Sequence, residues 1–118
     1  MLVEDNIDDQ FLAQRTLRKA GIKSIRVAGD GQEALNILLT SAEPLPELLI
    51  LDLRLPKTDG LKVLAELRRQ ERTRALPVLI LTSSDDPADR ETCFRLGAIG
   101  FFIKPLEFSE LKQLLSRC

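Results

Sequence analysis

The chain has 118 residues, 44% of them hydrophobic and 30% charged, with a formal net charge of −1. That length supports one self-sufficient core and leaves little room for a second domain, and the composition is globular rather than disordered. A near-neutral balance offers no electrostatic hold on nucleic acid or an anionic membrane, and the absence of histidine removes the commonest general base together with the commonest imidazole metal ligand.

Met1-Leu2-Val3 is a short apolar run. A helix is predicted over 6–20, with Gly21 as its stop. Residues 24–28 read as a strand with Ile25 and Val27 on one face, and the lone Arg26 suits a sheet edge. Asp30, in the turn Gly29-Asp30-Gly31, caps a helix to about Thr40 that carries Ala34, Leu35, Leu38 and Leu39 on one side. After the loop marked by Pro44 and Pro46, residues 48–51 form a continuous apolar strand, as burial on both faces requires. The loop 56–60 leads into a helix to about Gln70, with Leu61, Leu64, Ala65 and Arg68 at helical spacing. Pro77 opens a strand over 78–81, and Asp86-Pro87 opens a helix ending near Gly97. A fifth strand covers 99–103, and Phe108, Leu111 and Leu115 stripe a last helix.

Five strands alternating with five helices predict an α/β fold with a parallel sheet and right-handed crossovers. Ligands of such sheets bind outside the carboxyl ends of the strands, and four of those ends carry polar side chains. The first strand ends in Glu4 and Asp5, the third in Asp52, the fourth in Thr82 with Ser83 and Ser84, the fifth in Lys104 with Pro105. Converging carboxylates need a raised pKa or a cation, and an all-oxygen site with room for water suits Mg²⁺. A carboxylate nucleophile, a divalent metal and a lysine together suit phosphoryl transfer. Singly, Asp5 reads as a helix cap, residues 56–60 as loop chemistry and Lys104 as surface; their joint placement carries the reading.

Leu2-Val3-Glu4-Asp5-Asn6, the run from Leu51 to Pro56 with Asp59-Gly60, Leu81-Thr82-Ser83 and Lys104-Pro105 resemble the receiver domain of two-component response regulators, over 1–118 as one domain. The resemblance implies a doubly wound, flavodoxin-like five-stranded sheet of order 2-1-3-4-5. It implies Asp52 as phosphoacceptor, and Glu4, Asp5, Asp52 and the Arg54 carbonyl as Mg²⁺ ligands. Thr82 becomes the switch hydroxyl, Lys104 its cationic partner, Phe101 the switch aromatic, and the Lys104–Pro105 bond a cis bond. It further implies a cytoplasmic signalling module rather than an enzyme. The partners implied are a sensor histidine kinase or phosphotransfer protein, and a second copy through helix four, strand five and helix five, the surface of Arg90, Arg95, Phe101, Glu110 and Lys112. Glu4-Asp5-Asn6, Asp30-Gly31 before Glu33-Ala34-Leu35, and Leu53-Arg54-Leu55-Pro56-Lys57 are similar to the single-domain receivers paired with bacteriophytochrome kinases.

Met1-Leu2-Val3 is shorter than the family's usual first strand, which fits a trimmed N-terminus, and no output domain is expected after the last helix. Arg54 and Ser84 stand where the family tunes the acyl-phosphate lifetime; a long cation at 54 either obstructs or orients the attacking water. Three other readings compete with this one. A binding module that never phosphorylates would keep the pocket as a relic. A Mg²⁺-dependent phosphatase or phosphotransferase that uses an aspartyl phosphate needs a second acid two residues after its nucleophile, where Arg54 cannot serve. A flavin module needs a phosphate-binding loop where Glu4-Asp5 would repel phosphate. The basic residues Lys57, Arg68, Arg69, Arg72 and Arg74 read as a solvated face. The acidic start Met1-Leu2-Val3-Glu4-Asp5 is unlike a signal peptide, no run approaches the ~20 apolar residues of a membrane helix, and Cys93 and Cys118, without a CxxC spacing, predict two reduced thiols.

Overall fold

The computed structural model describes residues 1–117. Ten elements alternate along the chain: β1 (Leu2–Val3), α1 (Ile7–Lys19), β2 (Val27–Ala28), α2 (Gly31–Thr40), β3 (Leu49–Leu51), α3 (Gly60–Arg69), β4 (Val78–Thr82), α4 (Pro87–Arg95), β5 (Gly100–Ile103) and α5 (Phe108–Ser116). Every strand pair is parallel and the order is β2-β1-β3-β4-β5, as expected. The chain winds outward from β1 to β2, then crosses to β3 and winds the other way. The β1/β3 boundary is therefore the switch point at which such sheets open a crevice.

β1, β3 and the first four residues of β4 are at most 3% exposed, which is why they are runs rather than alternations. Leu2, Ile50, Leu79 and Leu81 point into a core with Ala13 and Leu17 of α1 and Leu111 and Leu114 of α5. Val3, Leu49, Leu51, Val78 and Ile80 point the other way, against Ala34, Leu38, Val63, Leu64, Leu67 and Cys93 of α2 to α4. Each leucine so covered contributes about 1.5–3 kcal/mol by burial. Four helices begin on capping side chains: Asn6 accepts from Asp9 N–H at 3.0 Å, Asp30 from Glu33 N–H at 2.8 Å, Asp59 from Leu61 N–H at 2.9 Å and Asp86 from Ala88 N–H at 2.9 Å. Gly21, at φ +96°, ends α1 in the left-handed region that glycine adopts freely.

Three expectations need correction. The second strand, predicted over 24–28, pairs only at Val27–Ala28. Its one neighbour is β1, in register Leu2↔Val27 and Val3↔Ala28, so Ser24 and Ile25 face no ladder partner. The apolar face of α3 is set by Val63, Leu64 and Leu67, with Arg68 turned to a different task. Arg68 and Arg72 are not a solvated face. The Arg68 guanidinium donates to the carbonyls of Leu96 (2.7 Å), Leu76 (2.8 Å) and Arg74 (3.0 Å), and Arg72 to those of Leu38 and Glu43 (2.9 Å each). They satisfy backbone acceptors that helix ends and loops leave open. Cys93 is a free, fully buried thiol, and burial first, with the Asp89 and Asp59 charges, pushes it up to about 11; Cys118 lies outside the described residues.

Candidate functional site

Parallel register brings the strand ends to one edge. Val3 lies beside Leu51, Leu51 beside Ile80 and Thr82 beside Ile103, so Glu4, Asp52, Thr82 and Lys104 emerge together. Oxygens of Glu4, Asp5 and Asp52 lie within 4.8 Å of one another, with Glu4 and Asp52 buried and Asp5 exposed. Lys104 Nζ donates to Asp52 Oδ2 at 2.7 Å and to Asp9 Oδ2 at 3.0 Å, and pairs with Glu4 Oε1. Asp52 Oδ1 accepts from the Arg54 N–H at 3.0 Å, and Glu4 Oε2 from the Asn6 N–H at 3.1 Å. The Gln10 side chain donates to the Glu4 carbonyl at 2.7 Å. These bonds fix the acidic groups from both the sheet and α1.

Three carboxylates, those of Glu4, Asp9 and Asp52, share one ammonium here, and the electrostatics reflect it. Desolvation raises the Glu4 pKa, and Asp52 adds to the rise against the bonds from Lys104 and Asn6. Burial alone would lower Lys104, but its bonds to Asp52, Glu4 and Asp9 outweigh it and hold the ammonium above its ordinary range. Lys104 gains from every partner, whereas each carboxylate gains only a share of Lys104. The cluster thus keeps surplus negative charge on hard oxygen donors, two of them out of water. That donor set fits a Mg²⁺-type cation, around which oxygens at about 2.1 Å lie roughly 3–4 Å apart.

Thr82 is fully buried, and its hydroxyl accepts from the Ser84 N–H at 3.2 Å. Arg54 turns its side chain along the surface, donating to Ser84 Oγ at 3.3 Å. Phe101 is 5% exposed, with the Arg90 guanidinium 5.7 Å from its ring centre. The Lys104–Pro105 peptide bond is cis. Lys57, in the β3–α3 loop, holds φ +67°, a left-handed conformation that costs a side-chain-bearing residue about 1 kcal/mol or more.

Two residues went unnoticed in the sequence. Asp9 meets Lys104 from the first turn of α1, one turn beyond Asp5, a place where an acid ordinarily signals only the helix start. Asp89 holds the same position in α4 and binds Ser84 Oγ at 3.1 Å. Also unremarked was the exposed apolar face of α1 beside the site, where Ile7, Phe11 and Leu12 are 78%, 65% and 47% exposed. It borders a groove of about 340 Å³ lined by Asp9, Leu12, Leu81, Lys104, Pro105 and Leu106.

A doubly wound sheet with an acidic triad and a lysine at its switch-point edge defines a class. The chain belongs to the response regulator receiver domain family, whose model matches residues 1–116. It is thus a receiver domain of two-component signalling, and such domains are signalling modules rather than conventional enzymes.

Among curated relatives, the probable methanogenesis regulatory protein FilR2 of Methanothrix harundinacea is 38% identical over 117 residues, 96% of this chain and 76% of that protein. The osmosensing histidine protein kinase SLN1 of Saccharomyces cerevisiae is 33% identical, and this chain spans 10% of its length. Among solved structures, the bacteriophytochrome response regulator AtBRR superposes with a TM-score of 0.84 at 36% identity, covering 98% of this chain and 87% of that one. The receiver domain of the sensor histidine kinase PA1611 of Pseudomonas aeruginosa, with a magnesium ion in its active-site cleft, superposes with a TM-score of 0.82 at 32% identity, covering 98% and 92%.

Proposed function

We propose that residues 1–118 form one phosphoacceptor unit of a two-component phosphorelay, that Asp52 accepts the phosphoryl group, and that the reaction needs Mg²⁺. The observation carrying this reading is Asp52 itself, a buried carboxylate within 4.8 Å of two others and 2.7 Å from the Lys104 ammonium. Glu4, Asp5, Asp52 and the Arg54 carbonyl would hold the Mg²⁺, which when bound neutralises charge on the phosphoryl oxygens. An Asp52 oxygen attacks phosphorus, and the bond to the leaving group breaks, releasing a histidine nitrogen or an acetate oxygen with its electron pair. Lys104 supplies positive charge where the phosphoryl group arrives. The Asn6 and Arg54 N–H groups keep the carboxylates aimed.

The donor is a sensor histidine kinase, a phosphotransfer protein or a small acyl phosphate. The exposed Ile7, Phe11 and Leu12 beside the site suit docking of a protein donor. No described helix is long and apolar enough to cross a membrane, and the domain works in the cytoplasm without contacting nucleic acid. With acetyl phosphate and Mg²⁺, the chain gains the mass of one phosphoryl group; Asp52→Asn gains none. Labelling that survives in Asp52→Asn contradicts the assignment.

The switch follows from the same contacts. Thr82 hydroxyl, now accepting from Ser84 N–H, turns to donate to the phosphoryl group, and the β4–α4 loop moves with it. The ring of Phe101 and the α4–β5–α5 surface, with Arg90, Arg95, Glu110 and Lys112, respond, and a second copy binds there. Thr82→Ala is expected to accept phosphate on Asp52 yet to lose the phosphorylation-dependent change in sedimentation. A normal change in this variant excludes Thr82 as the coupling group.

A further inference from the structure

The β3–α3 loop is tied to α4 by side chains outside the acidic cluster. Arg54 Nη2 lies 3.3 Å from Ser84 Oγ and 3.7 Å from Asp89 Oδ2, and Ser84 Oγ donates to Asp89 Oδ2 at 3.1 Å. Ser84 N–H in turn donates to Thr82. The Arg54 side chain is 65% exposed while that of Asp89 is only 19% exposed. Asp89 is thus the more buried member of the pair and the guanidinium the more exposed. Arg54 is also tethered to the acceptor, since its N–H donates to Asp52 Oδ1 at 3.0 Å.

Phosphorylation places new negative charge beside that tether. A phosphoryl group offers a guanidinium a better acceptor than one carboxylate, because it presents several oxygens to a bidentate donor. Resting on the assignment of Asp52 as acceptor, we propose that Asp89 is a positioning residue: it holds the Arg54 guanidinium on α4 and competes for it with the phosphoryl group. In hydrolysis a water oxygen attacks phosphorus, the bond between phosphorus and the Asp52 oxygen breaks with its electrons passing to the carboxylate, and the water's protons leave with the phosphate. A guanidinium on the phosphoryl oxygens covers the face that water needs. Asp89 therefore sets how long the acyl phosphate lasts.

The test follows acyl-phosphate decay by intact mass after removal of excess acetyl phosphate, in Mg²⁺. Asp89→Asn is expected to decay about two- to fivefold more slowly than the parent, the range open to one partly exposed ion pair. Asp89→Glu should decay at nearly the parent rate. In an Arg54→Gln background the Asp89→Asn change should disappear, whereas a merely structural role of Asp89 at the start of α4 would persist there. Unchanged or faster decay in Asp89→Asn, or an equal effect without Arg54, overturns the proposal while leaving Asp52 as acceptor. Absence of any adduct on the parent chain overturns the acceptor assignment and this inference with it.

Discussion

Lys104→Ala is expected to destabilise the fold by about 3 kcal/mol in the absence of divalent cations. Removing one partner from a buried ion pair leaves an uncompensated charge, at a cost of roughly 3–5 kcal/mol, and the outward partner Asp9 places this case at the lower end. The Lys104 side chain is 16% exposed, and those of Glu4 and Asp52 are 3% and 4% exposed. The loss should shrink in Mg²⁺, which binds only the folded cluster and stabilises it by mass action.

It should also shrink in acid. The folded-state pKa of Glu4 lies above its ordinary 4.5, so the fold holds that proton more tightly than the unfolded chain. Its contribution is fully present below 4.5 and lost as pH rises through the higher folded value. Lys104, also raised, stabilises fully below its ordinary 10.5 and loses that effect only in strong alkali. The variant leaves Glu4 and Asp52 without their ammonium partner, so its loss is larger where these carboxylates are ionised than in acid. Urea midpoints with and without Mg²⁺ at two pH values measure this; a loss indifferent to both would show that Lys104 acts by packing alone.

Gly60→Ala is expected to be as damaging, for a backbone reason. A Cβ at Gly60 would lie 2.3 Å from the Asp52 carbonyl oxygen and 2.6 Å from Leu53 Cα. Neither is the end of a flexible side chain, and the Gly60 N–H already donates to the Leu53 carbonyl at 3.1 Å. The start of α3 must back away or the acceptor segment must move, so a destabilisation of about 3 kcal/mol and impaired phosphorylation are expected together. Gly29→Ala is the control: its added Cβ meets only Glu33 Oε2, at 3.7 Å. Equal midpoints for the two variants would contradict the close approach.

The sequence displays what depends on local pattern and hides what depends on a distant partner. β3 and β4 are legible because burial on both faces writes an unbroken apolar run, α2 because Asp30 caps it, and α4 because Asp86-Pro87 opens it. Alternation alone implies that Glu4, Asp52, Thr82 and Lys104 share an edge. Asp9 and Asp89 were invisible for a definite reason: acids in a first helical turn are explained by the helix itself, so a second role leaves no trace in spacing. Arg68 and Arg72 were misread because long basic side chains ordinarily belong to solvent, and the carbonyls they serve, near the ends of α2 and α4 and in the segments after α2 and α3, are brought to them only by the fold. The length of β2 was set by its pairing with β1, a property of two segments rather than one.

Reductive trapping reaches the central claim in one step. Borohydride converts an aspartyl phosphate to homoserine, which peptide mass analysis then locates. After acetyl phosphate and Mg²⁺, homoserine is expected at position 52 alone, and none when the cation is chelated. Homoserine at Asp5 or Asp9 in place of Asp52, or equal trapping without the cation, would contradict the account.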